Sequence, residues 1–170
     1  MYDDWVISRW ETPVVDATHL GLVSLVDANR ELAMVFEVTG SPERLRWCVR
    51  FRRYPGYRNI DEAYRTALWQ RLDESGQRCG ATFTVQESTR LASWDTGYLQ
   101  GMYPHARHFV IATDDDVIEV ISDEEPVWDS VEPGGLNDPP PGKSKHLYIG
   151  KDDAEIARMV AAIKGKQPPQ

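Results

Sequence analysis

The chain has 170 residues, 41 % of them hydrophobic, and a formal net charge of −8 from 19 Lys and Arg against 27 Asp and Glu. A chain of that length buries about 70 % of the surface it exposes when unfolded, so its core needs neither disulfides nor a structural metal. The hydrophobic content excludes disorder of the whole chain.

The charge is unevenly spread, because residues 111–142 hold ten acids and no Lys or Arg. Met1 to Trp5 is acidic and no apolar run follows it, unlike a secretory signal. No stretch approaches the roughly 18 apolar residues of a membrane span. The expectation is a cytoplasmic protein with no membrane partner. Cys48 and Cys79 are too few for a disulfide framework or a thiolate metal site.

Apolar and polar residues alternate through the first third, which predicts strands at 5–10, 20–26, 31–39 and 45–53. Asn59 as a cap, with Glu62 three residues on, predicts a helix over 59–73 whose buried stripe is Ile60, Ala63, Tyr64, Ala67, Leu68 and Leu72. Strands at 81–86 and 90–94 follow, then a loop at 95–106. A hairpin of strands 107–113 and 117–122 turns at Asp114, Asp115 and Asp116. Residues 123–145, rich in Pro and Gly, read as a surface loop. A short strand at 146–149 and an amphipathic helix at 152–164 come next, before a disordered tail at 166–170. The fold class is α+β: a mostly antiparallel sheet of six to nine strands with the 59–73 and 152–164 helices packed on it, as one domain over 1–165.

Gly142-Lys143-Ser144 resembles the end of a phosphate-binding loop, but Asn137 stands where its first glycine belongs. Pro139, Pro140 and Pro141 also remove the N–H groups that would hold phosphate. The row Arg44, Arg46, Arg50 and Arg52 has members about 6.6 Å apart on one strand face, a spacing that suits phosphates. The preceding strand offers another use. Pairing Phe36 with Trp47 and Met34 with Val49 superposes both apolar faces, sets Glu37 against Arg46 and Glu31 against Arg52, and leaves Arg50 without an acid. With the overall negative charge, this argues against nucleic acid.

No Ser lies in a G-x-S-x-G elbow and no Cys–His pair has a family signature. Cys79, between Arg78 and Gly80, is the one candidate for a reactive thiol and reads as an ordinary loop cysteine. His105 and His108 point to opposite sides of a strand. No catalytic residue, cofactor or metal is assigned, and the balance leans away from an enzyme.

The acidic stretch then suggests a non-enzymatic protein-binding module. Asp114, Asp115, Asp116, Glu119, Asp123, Glu124 and Glu125 would form a docking face for a basic protein partner, with Trp128 as an apolar anchor and Trp69 as a second contact tryptophan. A bacterial immunity or antitoxin-type inhibitor covering the basic substrate site of a toxin is the concrete form, by analogy of size and acidity. The alternative is a small enzyme or ligand-binding domain for a small anionic ligand. Its pocket would lie between the sheet and the 95–106 loop, lined by Arg50, Tyr98, Tyr103 and His105.

Overall fold

The computed structural model describes residues 5–40, 43–93 and 97–132. The expected strand at 146–149, the helix at 152–164, the tail, Gly142-Lys143-Ser144 and the 133–145 part of the expected loop lie outside them. The fold is α+β, mostly antiparallel. Strands β2 (Leu20–Ala28), β3 (Glu31–Val38), β4 (Arg46–Phe51) and β9 (Val127–Val131) form a four-stranded sheet in that order. Strands β1 (Val6–Arg9), β6 (Thr82–Gln86), β7 (Arg107–Ala112), β8 (Asp116–Ser122) and β5 (Gly56–Asp61) form a five-stranded sheet in the order β1-β6-β7-β8-β5. Three short helices, α1 (Thr66–Glu74), α2 (Thr89–Ala92) and α3 (Tyr98–Met102), complete the described residues.

Alternation dictates how the layers stack. Leu32, Met34 and Phe36 of β3 and Val49 and Phe51 of β4 face Phe109 and Ile111 of β7 and Ile118 and Val120 of β8, all fully buried in one cluster. Each such side chain contributes roughly 1.5–3 kcal/mol by leaving water. The alternate residues on the other side of β8 and β7, Val117 and Val110, meet Leu68, Trp69 and Leu72 of α1, together with Trp5, Phe83 and Val85. The hairpin β7–β8 is therefore covered on both faces, which is why its sequence is almost continuously apolar.

The β3–β4 register agrees with the apolar pattern: Phe36 pairs with Trp47, Met34 with Val49 and Glu37 with Arg46. Arg52 donates to Glu31 at 3.2 Å. Glu37 accepts from Arg46 at 2.6 Å and from Arg44 at 3.0 and 3.1 Å. Burial would raise the Glu37 pKa, but these two guanidiniums outweigh it and hold the carboxyl below its usual range.

Four expectations are corrected. Residues 59–61, expected to open the helix, instead end strand β5, laddered to β8 from Gly56↔Ile121 to Asp61↔Asp116. The backbone ladder and the Arg58↔Glu119 pair outcompete the local signal at Asn59, so the chain first turns at Glu62–Arg65, a 3₁₀ turn capped by Asp61, whose side chain accepts from the Ala63 N–H at 2.9 Å. The segment expected as strand 90–94 begins as α2, because the Ser88 hydroxyl accepts from the Leu91 N–H at 3.3 Å and caps a helical turn. The loop at 95–106 contains α3. Part of the Pro/Gly-rich segment is β9, which pairs with β4 through Val49↔Trp128 and Cys48↔Asp129, and its Asp129 binds the Arg50 that had lacked an acid. No helix among the described residues is long and apolar enough to cross a membrane.

Two glycines in left-handed backbone test the packing of the loop between α1 and β6. A Cβ on Gly80 (φ +117°) would stand 2.4 Å from the Val15 carbonyl oxygen, which accepts from the Ala81 N–H at 2.8 Å; a Cβ on Gly76 (φ +67°) would meet nothing within 4 Å. Gly76→Ala is expected to cost about 1 kcal/mol from backbone strain alone, and Gly80→Ala more than about 2 kcal/mol because a backbone atom must move as well. Urea midpoints of the two variants measure the difference; equal losses would contradict the close approach.

Candidate functional site

A buried ionic cluster lies on the helix-facing side of the five-stranded sheet. Glu119 is the one acid in the middle of β8, it is fully buried, and the register sets Arg58 of β5 directly opposite it. Arg58 grips the carboxylate with Nε at 2.8 Å and Nη2 at 2.9 Å. Arg65, fully buried at the end of the 3₁₀ turn, donates to Oε1, and Arg90 of α2 donates to Oε2 at 3.2 Å. His108 of β7, also fully buried, places Nε2 at 3.2 Å from Oε2. Its other ring nitrogen, Nδ1, is 2.8 Å from the Ser88 hydroxyl. Trp5 packs edge-on against the imidazole, ring centres 5.2 Å apart.

Ser88, His108 and Glu119 thus make a hydroxyl–imidazole–carboxylate array, the arrangement among the described residues that nucleophilic chemistry would call for. Its electrostatics do not suit that chemistry. Burial, then the nearby Arg90, Arg58 and Arg65 guanidiniums, push the His108 pKa down to about 3. A general base works best with a pKa near the operating pH, so this imidazole is a poor proton acceptor. The carboxylate that would have to stabilise an imidazolium is occupied by three guanidiniums. The Ser88 oxygen, itself buried, already accepts the capping bond from Leu91. The array also has a mechanical consequence: Ser88 and Arg90 fasten the single turn of α2 to the sheet.

The acids expected to form one docking face separate into three groups. Glu119 and Asp116 are buried and so are withdrawn from the surface. Asp114 and Asp115 stay exposed at the hairpin tip, where Asp114 accepts from the Leu20 N–H at 3.3 Å. Asp123, Glu124 and Glu125 stand at the opposite end of β8, a strand of seven residues, hence about 23 Å away at ~3.3 Å per residue. Nor is the stretch without internal partners. Asp123 and Glu124 meet Arg53 at 3.2 and 3.7 Å, and Glu125 accepts from Arg107 at 2.5 Å and from the Trp10 indole at 2.8 Å. Trp128 is half-buried against Trp10 and Phe36, and Trp69 of α1 is buried against Phe83 of β6.

The alternative pocket is likewise redistributed. Arg50 points away from the core of the four-stranded sheet, to Asp129 and Glu31, and does not join Tyr98, Tyr103 and His105. Arg53 takes its place. It donates to the Met102 carbonyl at 2.8 Å and lies 5.8 Å from the centre of the Tyr103 ring. The His105 N–H donates to Asp123 at 2.6 Å, tying the 97–106 loop to the end of β8. Between this loop and α2 are two adjoining hollows of about 530 and 370 Å³, which share Leu91, Gln100 and Ala106. Burial raises the Cys79 pKa, so its thiol is not activated.

Comparison with protein-family models, curated proteins and solved structures finds no match. The site is therefore read from its own geometry. Sequence reasoning missed Ser88, Arg65 and Arg90, and met Arg53 and Arg58 only as neighbours of the outward arginine row. The signal for the cluster was present, since one Glu in a strand apolar on both faces has to be buried with a partner.

Two outcomes check this account. Glu119→Ala leaves the fully buried Arg65 guanidinium facing an empty position and is expected to cost roughly 3–5 kcal/mol in a urea titration. For His108, the unfolded chain takes up a proton near pH 6.5 and the folded chain only near 3. The unfolded state then holds the extra proton between those values, so stability is complete above 6.5 and falls as the pH drops towards 3. From pH 7 to 5 this group accounts for a loss of about 2 kcal/mol. His108→Asn should flatten that part of the profile, and an unchanged slope would place the titration elsewhere.

Proposed function

We propose that the protein is a non-enzymatic binding module that engages a basic protein partner through the acids after β8. An inhibitor of the immunity or antitoxin type, covering the basic substrate site of a toxin, is its concrete form. The observation that carries the reading is the state of Glu124 and Glu125, whose side chains keep 55 % and 53 % of their exposure although each touches one arginine. Carboxylates half in water retain room for a second cation, and several close together steer an oppositely charged molecule during approach. The poor basicity of His108 and the capping bond already made by Ser88 weigh on the same side, against a hydrolytic role for the hydroxyl–imidazole array found among the described residues.

The test is copurification of the tagged chain with the protein encoded beside it, at low and at high salt. A partner is expected to be retained at low salt and released at high salt. The Glu124→Gln/Glu125→Gln variant should weaken association roughly tenfold, mainly by slowing it. Retention that is indifferent to salt and to these two charges would refute the reading.

A further inference from the structure

The outer face of the four-stranded sheet is buried, yet it lies outside both apolar clusters. Side chains that alternate with the core residues point there: Val23 of β2, Val35 and Glu37 of β3, and Arg46 and Cys48 of β4. Val23, Glu37, Arg46 and Cys48 are each 4 % exposed, and Arg46 is more deeply buried than its neighbour Trp47, which faces the core. Neither Val23 nor Cys48 belongs to the two clusters that the described elements build. Helices α1 and α2 are engaged on the other sheet, and α3 is held near the end of β4 by Arg53. We infer that this face is a docking surface for the chain's own segment 152–164, with Ile156, Met159, Val160 and Ile163 lying over Val23, Val35 and Cys48.

The inference stands apart from the binding function proposed above, and pattern, layering and length argue for this occupant. The four apolar residues of the segment recur at i, i+3, i+4 and i+7, a helical stripe that needs an apolar surface to cover it. The inner faces of the two sheets are packed in one cluster and the helix side of the five-stranded sheet in the other, so the outer face of β2, β3, β4 and β9 is the layer position that remains. The described chain also departs from this sheet, because Val131 at the end of β9 stands opposite the buried Arg46. Residues 133–151 can extend about 60 Å, ample to turn back over a sheet about 14 Å wide, and residues 152–164 as a helix are about 20 Å long, enough to cross all four strands. The face is apolar in its middle, with the ion pairs Glu37–Arg46 and Glu31–Arg52 towards its two ends. The segment has the matching character, one apolar stripe flanked by acids and bases.

The test uses the full chain. With Cys79→Ser, Cys48 is the one thiol left, and it should react slowly with an aromatic disulfide reagent. Adding Ile156→Asp/Val160→Asp sets two charges against the apolar face and should speed that reaction at least about tenfold. Amide positions of Phe109, Ile111, Ile118 and Val120 report whether the core of this variant is intact. A second arm leaves the stripe untouched and decides alone if those amides move: a nitroxide on Arg158→Cys, in the ¹⁵N-labelled Cys48→Ser/Cys79→Ser chain, should broaden the amides of Val23, Ser24, Val35 and position 48. An intact Asp variant whose thiol rate is unchanged overturns the inference, as does broadening centred on α1, on the hollows beside α2, or on no part of the outer face. Broadening carried over in full to ¹⁵N chains mixed with separate spin-labelled chains overturns it too, since a second copy would then be the occupant.

Discussion

A carboxylate without water must be paired, and the way Glu119 meets that demand organises the five-stranded sheet and everything on its helix side. Three guanidiniums reach it from three separate elements, β5, the 3₁₀ turn and α2, and an imidazole reaches it from β7. Solvation lost by a buried ion is regained only when its partners are held in good geometry, so each of these elements is confined by the same atom pair. The strand at 56–61 illustrates the strength of the constraint. Local capping chemistry at Asn59 and Glu62 favours a helix there, yet pairing with β8 puts Arg58 opposite Glu119 and the helix begins only at Thr66.

The same demand explains which parts of the fold were legible in sequence. Strands with one dominant buried face announce their register, and β3 and β4 do so because sliding either by one residue would turn Met34, Phe36, Val49 and Phe51 away from the core. Legibility fails where a segment has no strong periodicity of its own and takes its form from a distant partner. Strand β9 has five residues, two of them in contact with Trp10, Phe36 or Arg50, and Pro126 just before it reads locally as a breaker. Helices α2 and α3 have four and five residues, too few to show a stripe. Their positions come from Ser88, Arg90 and Arg53, whose partners are distant in the chain and are brought near only by the folded sheet: Ser88–His108 are separated by 20 residues, Arg90–Glu119 by 29 and Arg53–Met102 by 49.

The candidate site was legible in part. Its acids after β8 and the aromatics of the 97–106 loop were identified as two alternatives, a docking face and a pocket, and the structure brings members of both to one end of the five-stranded sheet. The link between them is Arg53, whose single guanidinium touches Asp123, Glu124, the Met102 carbonyl and the Tyr103 ring. In sequence Arg53 stands at the end of an arginine-rich strand, and nothing local separates it from Arg50 or Arg52, which pair with acids on the outer face of the other sheet. Charge and side-chain type were readable; which of several neighbouring arginines turns towards which loop depends on strand parity and on where β4 ends.

The net charge acquires a different meaning once the partners are placed. A stretch of ten acids without a base suggested a single negative face. Folding divides it, because a strand of seven residues carries the two halves to opposite ends of the sheet and alternation turns its central acid inward. The interior acid then becomes the anchor of α2, through Arg90. The exposed acids after β8 and the buried acid that anchors α2 are thus neighbours in sequence, separated by the three residues between Glu119 and Asp123 and by the direction in which a strand points its side chains.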